Sequence, residues 1–387
     1  MKKSTTSSSP RRKESVSTFA TNSHGSTLPG QVVLVLQGGG ALGAFQVGAY
    51  QALHDAGVMP EWVIGTSIGA INGAIIAGNP PERRIEQLHR FWEGVQQHAG
   101  EGMPALFASF SQSLANLSTC MSGVPTFFTP TNNGLLGSKA RVGVEHAAYY
   151  SVAPLRETLT ELVDFDYLNS KHTRLTVGAV SVSTGEMHYF DSREETLTID
   201  HILASGALPP AFAAVRIGED AYWDGGIYSN TPIEAVLDDK PRRDSLIFTV
   251  NLWNAVGPEP ESIWEVMGRE KDIQYASRAR SHIVRQKQIH HLRHIIRELA
   301  KHVPGKAKES ADVRELASWG CGTTMHVVPL SAPPREGEDQ LKDIDFTPVG
   351  IRTRMDAGCT EAHRILAIAP WRADVDVMEG VIVHDNL

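Results

Sequence analysis

The sequence is poor in cysteine and has no excess of positive charge. Its 387 residues include three cysteines, Cys120, Cys321 and Cys359, which are scattered and odd in number. Such spacing gives no disulfide framework and no metal-binding cluster, and it is typical of a reducing compartment. The formal net charge is −8 at pH 7. Because nucleic-acid binders carry excess basic charge, we expect no nucleic-acid partner, and the cysteine spacing leads us to expect no metal.

Long hydrophobic runs are also scarce. Residues 62–81 are uncharged and long enough to cross a bilayer, but their glycines and Asn72 favour a buried strand and helix, so we expect no membrane span. Residues 1–30 lack any apolar stretch, which argues against a secretory signal, and their serines and basic residues predict a disordered, solvated tail. We therefore expect a cytoplasmic protein, with peripheral contact at a membrane surface as an open alternative.

A G-x-S-x-G motif is the most informative feature that is present. Gly65 and Gly69 flank Ser67, the apolar run 62–64 precedes them, and a helical stretch at 70–77 follows. A strand that turns sharply into a helix would expose the Ser67 hydroxyl at the positive end of that helix, as a serine nucleophile requires. The two glycines would leave room for a strained turn. By itself the motif also fits an ordinary Gly/Ser turn.

A glycine-rich turn lies one unit upstream. The apolar run 31–36 enters the sequence GGGALG at 38–43, and a helix to about Ala56 follows. With the strand before Ser67 these elements form a βαβ unit, so both turns open at the same edge of a parallel sheet. Backbone N–H groups of the glycine turn could then hold an oxyanion formed at the serine. The predicted oxyanion-loop residues are Gly38, Gly39, Gly40, Ala41 and Gly43.

The same glycines suggest a competing interpretation. Gly38, Gly40 and Gly43 have the G-x-G-x-x-G spacing of a dinucleotide-binding turn. Such a site needs an acidic residue about 20 positions further on, at the end of the second strand. In this chain that place holds Ser67, so the spacing disfavours a nucleotide and we expect no cofactor.

Asp224 supplies a third element. It precedes Gly225 and Gly226, and an Asn/Pro turn follows. Alone, Asp-Gly favours a hairpin turn. On a tight loop that faces the serine, the same carboxylate could act as a base.

The three elements together resemble the patatin-like phospholipase family. Its pattern is a glycine-rich oxyanion loop, a G-x-S-x-G elbow one βαβ unit later, and a D-G-[GA] aspartate. A fourth block at 204–212, ASGALPPAF, looks like the family's A-S-x-A-x-P-x-x-F segment. The resemblance covers roughly residues 31–252 and implies that Asp224 pairs with Ser67 without a histidine. One departure is Leu42, where the family usually has Arg or Lys, which leaves the oxyanion to backbone amides alone.

The resemblance implies a fold and an activity. The fold is a three-layer α/β domain with a mostly parallel sheet over 31–255, after the tail 1–30 and before a mainly helical extension at 256–387. The activity is hydrolysis of lipid acyl esters, of phospholipase A or lysophospholipase type, without a cofactor. Ser67 would attack the carbonyl, Asp224 would take its proton and return it to the leaving alcohol, and water would release the acyl-enzyme. The oligomeric state stays open.

Two other classes of function stay open as well. An α/β-hydrolase-type esterase would use a histidine after Asp224, and the candidates are His282, His326, His363 and His384. The early position of the Ser67 elbow, after the second detectable strand, argues against that class. A non-enzymatic lipid-binding or scaffold protein is the other alternative, which the intact Ser67 and Asp224 motifs disfavour.

Two further stretches carry predictions. Residues 102–138 contain no charged residue and interleave phenylalanines with small polar residues, which predicts a mobile cap over an acyl-chain pocket or an ordinary surface insertion. The four phenylalanines are Phe107, Phe110, Phe127 and Phe128. Near the end of the chain, Thr347 and Pro348 predict the start of a helix that continues through Ile368.

Residues 271–306 predict a basic helix. The predicted apolar stripe of this helix consists of Leu292, Ile296, Leu299 and Val303. His290 and His294 are one turn apart, as two metal ligands could be, but no carboxylate accompanies them. We therefore expect the histidines to lie on a solvated face. The basic face could either meet anionic lipid or only pack on the catalytic domain.

Overall fold

The computed structural model describes residues 28–97, 123–132, 139–335, 340–376 and 378–385. The predicted tail therefore lies almost wholly outside the described residues, and so does the predicted cap except for 123–132. Strands in the described part are β1 Gln31–Leu36, β2 Trp62–Thr66, β3 Thr129–Pro130, β4 Tyr150–Ser151, β5 Arg174–Ser181, β6 Met187–Asp191, β7 Val215–Ile217, β8 Asp220–Asp224, β9 Ser245–Asn251, β10 Met325–Ser331 and β11 Val381–Val383.

The helices of the same ranges are α1 Ala44–Asp55, α2 Ile68–Ala77, α3 Pro81–Gly94, α4 Ala153–Leu162, α5 Phe165–Asn169, α6 Ile199–Ser205, α7 Glu234–Leu237, α8 Ile263–His302, α9 Gly305–Lys308, α10 Ala311–Ser318 and α11 Pro348–Ile368. Short 3₁₀ turns occupy Gly40–Gly43, Gly225–Ile227, Lys342–Ile344 and Pro370–Arg372. None of the helices in these ranges is long and apolar enough to cross a membrane.

A mostly parallel sheet forms the middle layer. Its order is β11-β10-β9-β1-β2-β5-β8-β7, with β6 paired to β5. The pairs from β11 to β5 are parallel, whereas β6, β7 and β8 add antiparallel pairs at one side. Small β3 and β4 pair with each other, apart from this sheet.

Helices cover both faces of the sheet. Leu34 and Leu36 of β1 pack into the cluster that holds α1, α2 and α11. Val33 and Val35 point to the opposite face, into the cluster with residues of α7 and α8. A strand buried on both sides explains why β1 is continuously apolar from Val32 to Leu36 instead of alternating. The predicted three-layer α/β architecture is confirmed.

The chain after residue 255 contains more than helices. Helix α11 has the predicted bounds, with Thr347 as its N-cap, because the Thr347 side chain accepts a hydrogen bond from the Gly350 N–H. In addition, β10 and β11 extend the sheet beyond β9, which the sequence analysis did not predict. Pro329 interrupts the short apolar run of β10, and proline within a run argues against a strand interior. The division at residue 255 stays a prediction.

Helix α8 differs from its prediction in its ends and in its buried face. It begins earlier, where Ser262 and Glu265 form a capping box, and it ends before Pro304. The predicted apolar stripe is wrong, since Leu292 is 58% exposed and Leu299 is 62% exposed.

The expectation of a solvated histidine face is also wrong. His290 and His294 are buried on α8. The Nε2 atom of His290 lies 3.2 Å from the Leu237 carbonyl, and that of His294 lies 3.0 Å from the Thr323 carbonyl. Each imidazole thus finds a backbone partner, which makes its burial tolerable.

Candidate active site

Two strand ends meet along a third strand. Thr66 at the end of β2 pairs with Gly178 of β5, and Asp224 at the end of β8 pairs with the next residue, Ala179. Strand β6 pairs with overlapping residues of β5, so it occupies the other edge. The ends of β2 and β8 therefore adjoin on one edge of β5, and this brings Ser67 next to Asp224.

Ser67 occupies a strained turn between β2 and α2. Its backbone angles are φ 56° and ψ −125°, a region that residues other than glycine rarely adopt. The glycines on either side allow close backbone approach. A Cβ at Gly65 would lie 2.3 Å from the Gly69 carbonyl oxygen, and one at Gly69 would lie 2.2 Å from that of Leu36. The sharp turn expected from the motif is present.

Asp224 is a buried carboxylate with two hydrogen-bond donors. It is 2% exposed and accepts a hydrogen bond from the Gly226 N–H at 2.7 Å, and the nearby Ser67 hydroxyl acts on its pKa as a hydrogen-bond donor does. Burial raises the pKa of Asp224 from 3.8 to about 6, although both hydrogen bonds lower it. With a pKa of about 6 the carboxyl group is mostly ionised at neutral pH, which is the form that can accept a proton.

Ser205 fixes the main chain of the turn. The Ser67 N–H donates to the side chain and to the carbonyl of Ser205, each at 3.1 Å. The Ser205 hydroxyl in turn donates to the Gly178 carbonyl at 2.7 Å. The block at 204–212 thus ties the serine turn to β5.

The first residue of the glycine loop is held from both sides. The Gly38 N–H donates to the Asn230 carbonyl at 3.1 Å, and the Gly38 carbonyl accepts from Trp253 Nε1 at 2.8 Å and from Asn230 Nδ2 at 3.0 Å. The Gly38 amide is therefore already engaged. Gly39 and Gly40 line the same cavity as the serine and the aspartate.

A match to a family model covers residues 34–237, more than half of the chain, and its description is patatin-like phospholipase. The chain belongs to the patatin-like phospholipase family. A second model, described as patatin phospholipase, matches residues 273–378. The patatin-like family is one of lipid acyl hydrolases. The second model matches a part of the chain that lies beyond the last of these motifs.

Named relatives share a short part of this patatin-like chain. It is 44% identical to patatin-like phospholipase domain-containing protein 6 of Homo sapiens over 61 residues, which are 16% of this chain and 4% of that protein. It is 56% identical to lysophospholipase nte1 of Aspergillus terreus over 46 residues, 12% of this chain and 3% of that protein. The matches thus span 4% or less of these relatives. Among solved structures, VipD from Legionella pneumophila has a TM-score of 0.39 at 15% identity, covering 94% of this chain and 72% of that one.

The remaining predicted loop residues of this patatin-like site lie outside the cavity lining. Ala41 is fully buried, and a Cβ at Gly43 would lie 2.5 Å from Ile68 Cγ1, so Gly43 serves helix packing. Leu42 lines a different cavity. Of the motif glycines after the aspartate, Gly226 lines the same cavity as Ser67, whereas Gly225 packs against β5.

The cavity is apolar and has a volume of about 220 Å³. Its aromatic and aliphatic lining includes Ile68, Ile71, Phe127, Phe128, Tyr150, Leu155, Leu203, Phe212, Ile344 and Phe346. The rings of Phe127 and Phe128 have centroids 5.5 Å apart, and Phe128 is equally far from Phe212. Two phenylalanines of the predicted cap therefore reach the cavity, while Phe107 and Phe110 lie outside the described residues.

Sequence reasoning missed several residues of the site. Asn230 follows Asp224 in a turn that the sequence displays, so its position could have been noticed. No local signal marks Trp253, Tyr275 or Asp343, which line the cavity from separate elements.

No histidine belongs to the cavity lining in the described ranges. Of the candidates for a third catalytic residue, His326 and His384 pair with each other at 3.0 Å, and His363 lies 3.5 Å from the Cys359 Sγ. His282 lies on α8 and does not line the cavity either. In the same ranges, no group of three or more His, Cys, Asp or Glu side chains could hold a metal ion.

Proposed function

We propose that this chain hydrolyses lipid acyl esters with a Ser67-Asp224 dyad. The observation that carries the proposal is Ser67 on a strained turn beside the buried Asp224 carboxylate, both of them lining one apolar cavity. Family membership supports a lipid ester as the substrate. No histidine is needed, because the carboxylate contacts the serine directly.

The reaction has two halves. In the first, Ser67 Oγ attacks the ester carbonyl while Asp224 takes the hydroxyl proton, and the proton then passes to the leaving alcohol as the ester C–O bond breaks. In the second, water attacks the acyl-enzyme, Asp224 takes a proton from that water, and the Ser67 oxygen regains a proton as the fatty acid leaves.

Backbone amides would stabilise the tetrahedral oxyanion. We assign this role to Gly39 and Gly40. The Gly38 N–H already donates to the Asn230 carbonyl, and Ala41 and Gly43 do not line the cavity. Trp253 and Asn230 fix the Gly38 carbonyl and hence the start of the loop. Since Leu42 faces another cavity, no side chain at that position would assist the amides.

The apolar cavity suits an acyl chain, so phospholipase A or lysophospholipase activity is the proposed class. The named relatives include a lysophospholipase, which supports this class. An unbiased panel of lipid esters, comparing the wild type with Ser67→Ala, tests the proposal. We expect hydrolysis in the wild type alone and fluorophosphonate labelling of Ser67 alone. Hydrolysis that survives in Ser67→Ala, or that neither protein supports, would contradict it.

Peripheral contact with a lipid surface from the cytoplasmic side is part of the proposal. Helix α8 contributes Tyr275 to the cavity, and its preceding turns expose apolar side chains. These are Ile263, Val266, Met267 and Ile273, each at least 47% exposed. An apolar stripe on the helix that also supplies a cavity residue could enter the interfacial region of a bilayer.

Vesicle sedimentation tests this contact. We expect Ile263→Asp to weaken binding to phosphatidylcholine vesicles, while Leu299→Asp, an exposed leucine further along the same helix, leaves it unchanged. Binding that both variants retain but added salt removes would instead assign the contact to the basic part of α8.

A further inference from the structure

A turn from the C-terminal part of the chain borders the glycine loop. Asp343, Ile344 and Phe346 line the same cavity as Ser67. The Asp343 carbonyl oxygen packs directly on Gly40, because a Cβ added at Gly40 would lie 2.3 Å from it. Gly40 has φ +54°, a conformation that is strained for any other residue. The backbone of Asp343 thus packs against the backbone of Gly40, in the loop to which we assign the oxyanion donors.

Two reciprocal salt bridges hold this turn to α8. Lys271 and Asp272 are neighbours on the helix, and Lys342 and Asp343 are neighbours on the turn. The Lys271 ammonium lies 2.9 and 3.0 Å from the two carboxylate oxygens of Asp343, and the Lys342 ammonium lies 2.6 Å from Asp272 Oδ1. Lys271 also donates to the Gln340 carbonyl at 2.8 Å. Each element thus carries a lysine followed by an aspartate, and the lysine of each element pairs with the aspartate of the other.

Helix α11 holds the same turn from another side. Arg354 Nη1 lies 3.0 Å from Asp345 Oδ2, and Arg354 Nη2 donates to the Lys342 carbonyl at 3.2 Å. The Asp345 carboxylate also accepts the Thr347 hydroxyl at 2.7 Å, next to the start of the helix. Contacts on two sides leave the turn little freedom to move away from Gly40.

We propose that Lys271 and Asp343 are positioning residues for the oxyanion loop. Their salt bridge holds the turn at 340–346 against Gly40, and the braced glycine keeps the loop amides aimed at the oxyanion. Donors must be held to a fraction of an ångström to stabilise a transition state, so a loosened brace would lower kcat more than it raises KM. This inference rests on the proposed function, because it acts through the same loop.

A charge-swap cycle tests it on the full chain with the soluble ester p-nitrophenyl butyrate. Lys271→Asp and Asp343→Lys should each lower kcat about tenfold, with KM within about twofold, because each places like charges together. The double variant restores opposite charges and should recover to within about threefold of the wild type. The same swap at Glu298 and Lys301, an exposed pair on α8, is the matched control and should change nothing.

Several outcomes would overturn the inference. They are folded single variants with wild-type kcat, a folded double variant that does not recover, and an effect confined to KM. Thermal midpoints establish folding, and if a reversal unfolds the protein, Lys271→Gln and Asp343→Asn should still lower kcat. The labelling rate of Ser67 by a fluorophosphonate gives a second readout and should fall with kcat. Activity in Ser67→Ala contradicts the proposed function, whereas normal single variants beside an inactive Ser67→Ala contradict this inference alone.

Discussion

Two parts of the chain reach one cavity by different means. Between residues 31 and 252 the site is built from strands that end in glycine-containing turns, which place Ser67, Asp224 and the loop at 38–40. After residue 256 single side chains arrive on a long helix and on a turn held by salt bridges. The first part carries the proposed chemistry in local geometry, whereas the second shapes the cavity through long-range packing.

The largest expected loss of turnover is at the proposed base, Asp224, in the first part of the chain. Asp224→Asn keeps the size of the side chain but removes the base, so turnover should fall about 10⁴-fold or more, close to Ser67→Ala. Steady-state kinetics on a soluble ester measure it. Single His→Gln variants should stay within about tenfold of the wild type, since the proposed mechanism gives no histidine a proton-transfer role. A folded histidine variant as inactive as Ser67→Ala, beside an active Asp224→Asn, would assign the chemistry to a triad.

The glycine loop gives the next largest effect. Gly39→Val should lower kcat by about 10²- to 10³-fold, the scale of losing one oxyanion donor. A Cβ at Gly39 would lie 3.0 Å from Leu252 and 3.1 Å from the Trp253 indole nitrogen, so these side chains or the loop must give by a few tenths of an ångström. Gly305→Val is the control from the second part, because a Cβ there would meet nothing within 4 Å. A folded Gly39→Val with normal kcat would remove the loop from the mechanism.

The pH dependence of kcat/KM tests whether burial raises the pKa of Asp224. The pKa of Asp224 is raised to about 6, and only the ionised carboxylate can accept the proton. On the acid side kcat/KM should therefore be half-maximal near pH 6 and fall about tenfold per pH unit below it. An acid limb near pH 4 would show that the carboxylate is not desolvated in solution.

The same pKa shift also affects stability. The folded-state pKa of Asp224 lies above the 3.8 of an unperturbed carboxyl, so the folded protein binds the proton more tightly and loses stability as pH rises from about 4 to 6. Full ionisation costs on the order of 3 kcal/mol. Asp224→Asn should therefore raise the thermal midpoint at pH 7 by a few degrees while it abolishes turnover. A lowered midpoint would contradict this sign.

The smallest catalytic effect should come from the second part. His290 is buried on α8 with its Nε2 atom near the Leu237 carbonyl. His290→Ala should cost about 1–3 kcal/mol of unfolding free energy, through the unpaired carbonyl and the lost packing, with kcat within about twofold. Urea unfolding and kinetics on one preparation measure both. A large loss of kcat in a folded variant would draw α8 into the chemistry.

Local patterns allowed prediction of the first part. The run from β1 to α2 and the sharp turn at Ser67 depend on neighbouring residues alone, and both were expected. The α8 stripe failed because spacing does not tell which face meets a partner. Leu292 and Leu299 have helical spacing, yet the histidines take the buried side because each reaches a carbonyl.

Long-range contacts explain what was missed in the site. Trp253 holds Gly38 from 215 positions away, and Asp343 packs on Gly40 from the C-terminal part of the chain. Nothing near either residue in the sequence marks it as part of the site. Pro329 similarly concealed β10, whose partner β9 lies far upstream.

The ends of β2 and β8 meet along β5, so hydrolytic activity depends on the correct alignment of these strands. A slip of β8 by one residue would move Asp224 by about 3.3 Å along β5 and turn its carboxylate to the opposite face of the sheet. A chain with every helix formed and one strand out of step would look native by secondary structure and still be inert. Hydrolysis therefore requires that β2 and β8 be in register on β5, and recovery of turnover during refolding would time the formation of that register.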